Sequence, residues 1–183
     1  PIAGFALDLG TTSLAGLLVD LKSGKILAKA SGGNGQIRYG ADVINRIIES
    51  EKPGGRKRLQ DAGVQESILP LFTSMLHSAG IEARSVYRMV LAGNTTMNHL
   101  LLGLHSDPVR MEPFIPSFFH ADYLYTRDIG ITMNPLAELI VAPNIGSYVG
   151  GDITAGTFAS MIWNKPEMSL FIDLGTNGEL VFG

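Results

Sequence analysis

No cysteine occurs anywhere in the 183 residues. That absence excludes a disulfide framework, a thiolate zinc site, a cysteine nucleophile and a cysteine-ligated iron–sulfur cluster within this chain. Long apolar runs are also missing: none reaches the roughly 18 residues that a membrane span needs. Charge is sparse, with 17% charged residues and a formal net charge of -3. A weakly acidic chain argues against a nucleic-acid partner, whose phosphates call for a basic face. The start, Pro-Ile-Ala-Gly, has no basic n-region, so it does not read as a signal peptide. A cytoplasmic location with no membrane partner is expected. The start also lacks a Met, so the chain is expected to be cut from something longer. Hydrophobic residues make up 45% of the chain, a globular composition with enough length for a sizeable core.

Hydrophobic patterning divides the chain into alternating elements. Ile2 to Leu9, Ser13 to Leu21 and Lys25 to Ala30 read as strands of an antiparallel meander, with Ser23-Gly24 at one turn. Ser31 to Gly35 is glycine-rich and reads as loop. Gly40 to Glu51 places Val43, Ile44, Ile47 and Ile48 at helical spacing. Arg56 to Ala79 reads as a longer amphipathic helix, irregular near Pro70 and ended by Gly80. Val86 to Ala92 is a strand, Met97 to Leu104 a helix, Glu138 to Ala142 a strand and Ser147 to Trp163 a helix rich in small residues. Residues 105 to 138 carry four prolines and read as an irregular insertion. Ser169 to Leu174 and Glu179 to Phe182 read as a final hairpin. The expected fold class is α/β, a mixed sheet with flanking helices.

One phrase occurs twice. Asp8-Leu9-Gly10-Thr11-Thr12 follows the first apolar strand, and Asp173-Leu174-Gly175-Thr176-Asn177 follows one near the end. An Asp at a strand end, then Gly-Thr in a tight turn, suits polyphosphate. The glycine permits close approach, successive backbone N–H groups can form an anion nest, and threonine hydroxyls add donors. The Asp can hold Mg²⁺, usually through water. One such tetrapeptide is ordinary turn chemistry. Two copies, each between strands, read as duplicated loops pinching one nucleotide, an arrangement suited to phosphoryl transfer. Residues 1–168 are then expected to form a first subdomain with its insertion near 105–138. Residues 169–183 are expected to be the first hairpin of a truncated second one.

The pair of phrases resembles the phosphate loops of the actin-like ATPase superfamily, whose subdomains have a ribonuclease-H-like core. Five segments resemble one family within it, the ATP-dependent reductive activators of corrinoid proteins. They are "ALDLGTTS", "YGADVINRI", "LAGNTTMNHLLLGL", "PNIGSYVGGDITAG" and "FIDLGTNGELVFG". The second and third are long enough to select the family. Gly35, in "GGNGQIRYGAD", stands where the family is expected to have proline. The resemblance implies ATP hydrolysis driving a corrinoid protein from cob(II)amide to cob(I)amide. Electrons would arrive through an iron–sulfur cluster in a part of the parent protein outside these residues.

The resemblance also implies roles. Asp8, Gly10, Thr11 and Thr12 match the first phosphate loop, and Asp173, Gly175, Thr176 and Asn177 the second, with ATP and Mg²⁺ between them. Asp8 and Asp173 are the metal candidates. Asp152, early in the helix after Pro143, is the candidate catalytic residue, orienting water or metal, or else it simply favours a helix N-terminus. Asn94, Thr95 and Thr96, at a strand end, either line the cleft or cap the next helix, which needs only one of the three. Asp42 and Arg46, one helical turn apart, read as a surface or interface pair. No histidine is assigned as a ligand. The aromatics of "PFIPSFFHADYLY" pack the insertion or form a patch for a homodimer or a corrinoid protein. The alternatives are a sugar or acetate kinase relative, and a non-catalytic dimerisation or docking domain.

Overall fold

A computed structural model describes residues 1–183. Strands β1 (Ala3–Leu9), β2 (Ser13–Asp20) and β3 (Ile26–Gly33) form the expected antiparallel meander. The Asp20 carboxylate closes the second turn, accepting from Lys22 N at 3.0 Å and Ser23 Oγ at 2.9 Å. β3 runs further than expected. Ser31, Gly32 and Gly33 pair with Ala15, Leu14 and Ser13, because the start of β2 would otherwise leave its backbone groups unpaired.

Helix α1 (Val43–Ser50) starts where Asp42 accepts from Asn45 N at 2.8 Å. Its end turns so tightly into α2 (Gly55–Gly63) that a Cβ on Gly55 would overlap the Glu49 carbonyl. A π-helical turn (Val64–Ile68) then leads into α3 (Leu69–Ala79), with the Leu69 N–H reaching back to Val64 O. Pro70 explains the break. It lacks an N–H and its ring crowds the carbonyl four residues back, so the helix widens just before it. Gly80 ends α3 in the left-handed region, at φ 64°. Strand β4 (Val86–Gly93) and α4 (Thr95–Leu102) follow.

The insertion contributes 3₁₀ turns and a short edge strand, β5 (Leu124–Tyr125). It is anchored by buried Val109, Ile129, Ile131 and Met133. Phe118 stacks on His99 at 4.9 Å, whereas Tyr123 is 94% exposed. β6 (Glu138–Val141) and α5 (Gly151–Ser160) complete this part. α5 starts later than its sequence pattern suggests. Residues 145–149 close a turn instead, with Ile145 N and Gly146 N both donating to Val149 O.

The six strands lie in the order β3-β2-β1-β4-β6-β5, with β1, β4 and β6 parallel. Alternate residues Phe5, Leu7, Leu9, Leu14, Leu18, Met89, Leu91, Leu139 and Val141 face one core. Leu59, Ile68, Leu71, Phe72, Met75, Met97 and Leu100 fill it from the helices. The chain therefore adopts the expected mixed sheet with flanking helices. β7 (Leu170–Leu174) and β8 (Gly178–Phe182) form a separate two-stranded sheet, docked on α5 where Gly156 meets the Phe171 ring. No helix is long and apolar enough to cross a membrane.

Candidate functional site

The two Asp-Leu-Gly-Thr phrases face each other. The first turn is closed by Gly10 N donating to Ser13 O at 3.0 Å. A Cβ on Gly10 would lie 2.5 Å from that oxygen, so the turn requires glycine. The second turn is closed in a related way, by Gly175 N donating to Asn177 O at 2.9 Å. The loops touch through their hydroxyls, with Thr12 Oγ1 3.1 Å from Thr176 Oγ1. Between them opens a cleft of about 530 Å³. Its lining includes Asp8, Gly10, Thr11 and Thr12 from one side and Asp173, Gly175, Thr176 and Asn177 from the other. Ser13, Leu174 and Glu179 also line it, and sequence reading had not picked them out. Ser13 is the first residue of β2 and Glu179 the second of β8, each just beyond its loop.

Asn94 serves both roles that its sequence context allowed. Its Oδ1 caps α4 by accepting from Met97 N at 2.9 Å, while its Nδ2 donates to Thr11 Oγ1 at 3.0 Å in the cleft. Thr95 does not reach the cleft. It is fully buried, and its hydroxyl donates to Gly146 O at 2.5 Å. The cause is the close approach of two helix starts: a Cβ on Gly150 would sit 2.5 Å from Asn94 Cα. Asp152, in the first turn of α5, is not among the residues that line the cleft, although it feels the charges of Asp173 and Asp8.

The carboxylates crowd one another. Burial raises the Asp8 pKa, and the Asp173 charge raises it further. Asp152 is raised by burial first, then by Asp173 and Asp8, against a bond from Ile153 N that lowers it. Glu179 is raised by burial, Asp152 and Asp173. Four acids therefore share one negative field. No three of them converge as direct metal ligands. This donor set fits a hydrated cation bridged by water, the habit of Mg²⁺, better than a closed protein cage.

Arg46 departs most from its expected place. It is not on the surface and does not pair with Asp42. Its side chain is fully buried beneath the first loop and donates to Thr11 O at 2.6 Å. Asp42 is occupied with capping α1. Asn34, unassigned in the sequence, is also buried there and donates from Nδ2 to Gly10 O at 2.9 Å.

An antiparallel meander continued by parallel strands, with helices packed on the sheet, defines a mixed α/β fold. More particularly, the chain belongs to the family of the RACo middle region, whose model matches residues 3–165. It is 36% identical over 184 residues to the corrinoid activation enzyme RamQ of Eubacterium limosum, covering 100% of this chain and 30% of that protein. A solved structure described as a reductive activator for corrinoid, iron-sulfur protein superposes with a TM-score of 0.96 at 40% identity. That match covers 100% of this chain and 29% of the other. The chain thus spans about three tenths of the length of these relatives.

Proposed function

We propose that residues 1–183 supply part of an ATP and Mg²⁺ cleft in a cytoplasmic protein that reductively activates a corrinoid protein. In this reading ATP hydrolysis drives an uphill one-electron transfer, from an iron–sulfur cluster elsewhere in the parent protein, that takes the cob(II)amide centre to cob(I)amide. The observation that carries it is the facing pair of loops, joined at Thr12 and Thr176. The names of both relatives supply the corrinoid partner. Thr11, Thr12 and Thr176 hydroxyls and the loop amides bind phosphate oxygens. Asp8 and Asp173 would hold Mg²⁺, which would supply neutralisation of phosphate charge. Asp152 orients water toward the cleft. β7 and β8 begin a second subdomain, which carries the rest of the nucleotide site. The iron–sulfur cluster belongs elsewhere in the parent protein, since this chain offers no cysteine.

The test uses the full-length protein containing this chain, a low-potential reductant and a corrinoid protein in its cob(II)amide state. The cob(I)amide absorbance is expected to appear only with MgATP. Equal reduction without ATP, or phosphorylation of a small acceptor in its place, sinks the proposal.

A further inference from the structure

Three consecutive carbonyls of the first loop are held from beneath. Gly10 O accepts from Asn34 Nδ2 at 2.9 Å, Thr11 O from Arg46 Nη2 at 2.6 Å, and Thr12 O from Asn34 N at 2.9 Å. In a planar trans peptide a carbonyl and the next N–H point in opposite directions. Pinning the Gly10 and Thr11 carbonyls inward therefore aims the Thr11 and Thr12 N–H groups outward, toward the cleft. Neither N–H has a partner within the protein. Two adjacent free amides aimed the same way are an anion nest.

Arg46 is an unusual choice for holding a carbonyl. Its guanidinium is fully buried and has no carboxylate partner. Nε donates to Gly40 O at 2.8 Å, and Nη1 lies 3.4 Å from Gln36 Oε1 and 3.2 Å from Met97 Sδ. Burial lowers its pKa to about 10, with the Asp42 charge opposing, so it stays protonated at neutral pH. A buried cation among neutral acceptors is costly for stability alone. The cleft above it explains the placement. No lysine or arginine lines that cleft, while Asp8, Asp173 and Glu179 do. Arg46 is thus the positive charge set directly beneath the loop.

We propose that Arg46 is a positioning residue for phosphate binding. It fixes the Thr11–Thr12 peptide so that the Thr12 amide faces the cleft, and it sets a fixed positive charge under the polyphosphate. This rests on the reading of the cleft as an ATP site. Asn34 does the same for the Gly10–Thr11 peptide.

The test compares full-length wild type with Arg46→Met and Arg46→Lys. Calorimetry gives Kd for MgATP, steady-state ATP hydrolysis gives KM and kcat, and thermal unfolding is followed without nucleotide. Arg46→Met is expected to raise Kd roughly tenfold or more, as loss of a charged hydrogen bond does. Lysine keeps the charge but cannot span the Thr11 and Gly40 carbonyls together, so Arg46→Lys raises Kd and KM by roughly threefold with kcat within twofold. If Arg46→Met does not fold, Arg46→Lys decides alone. Variants that bind MgATP within twofold of wild type overturn the role of Arg46 and leave the ATP reading standing. A fall in kcat parallel to lost thermal stability, with KM unchanged, also overturns it. Wild type that binds no MgATP overturns the ATP reading and this inference with it.

Discussion

Asp8 is placed against its own electrostatic preference. Its folded pKa lies above the usual 3.8, through burial and the Asp173 charge. The folded state therefore binds a proton more readily than the unfolded one. Stability from this group falls as pH rises from about 3.8 through the folded pKa, and at neutral pH the ionised group opposes folding. Asp8→Asn should accordingly raise the unfolding temperature at pH 7 without metal. The same change should weaken MgATP binding by roughly tenfold to a hundredfold, as loss of a charged partner does. Scanning calorimetry with and without MgATP checks both. A variant that is less stable in both conditions would mean that Asp8 serves the fold rather than the cleft. His99 shows the opposite sign. Its Nδ1 bonds Thr95 O at 2.7 Å and its Nε2 accepts from Ser117 N at 3.0 Å, so the ring is held neutral between α4 and the insertion. Burial lowers its pKa below 6.5. Above about pH 6.5 both states are neutral and nothing is lost. As pH falls below that value, the unfolded state takes the proton first and stability declines until the folded pKa is passed. Wild type should therefore lose unfolding temperature faster than His99→Gln between about pH 6.5 and 5. Parallel curves would remove His99 as the cause.

At the scale of elements, small residues set how close the parts lie. Gly150 lets the start of α5 meet the start of α4, so that Asn94 can cap one helix and still reach Thr11. Gly150→Ala should cost about 1–3 kcal/mol through overpacking, read from denaturant unfolding. Gly156 lies against the Phe171 ring, where a Cβ would overlap it. Because β7 is half-exposed and can shift, Gly156→Ala should loosen the hairpin more than it destabilises the core, as hydrogen exchange at Phe171 and Ile172 would show. Much at this scale was legible in the sequence, because strands, caps and turns are local. Apolar alternation placed β1 and β2, and the repeated Asp-Leu-Gly-Thr placed both loops. The less legible features depend on distant chain. Ser31-Gly32-Gly33 reads as loop until β2 lies beside it and needs partners. Arg46, one turn from Asp42, reads as half of a surface pair until the first loop supplies Thr11 O. The acceptor sits 35 residues earlier in the chain, so no helical pattern could announce it.

Across the whole molecule, the two sheets share no strand pairing. The hairpin rests on the larger part through Phe171 against Gly156, Gly183 beside Ile162, and the Thr12–Thr176 contact. Its own strands alternate exposed and half-buried residues, with Leu174 at 86% exposure, so it contributes little to the main core. The buried cluster that holds the six-stranded sheet ends at Val141 and includes no hairpin residue. Residues 1–168 alone should therefore fold cooperatively, with a denaturant m-value only slightly below that of residues 1–183, since m follows the surface exposed on unfolding. The cleft should behave differently. With the second loop gone, the Thr11 and Thr12 amides face solvent on one side, and whatever MgATP binding residues 1–183 retain should be lost. Calorimetry on the two lengths reads the second effect, and urea unfolding reads the first. Residues 1–168 that fail to fold would show the hairpin to be part of the core. Equal MgATP binding by both lengths would confine the phosphate site to the first loop.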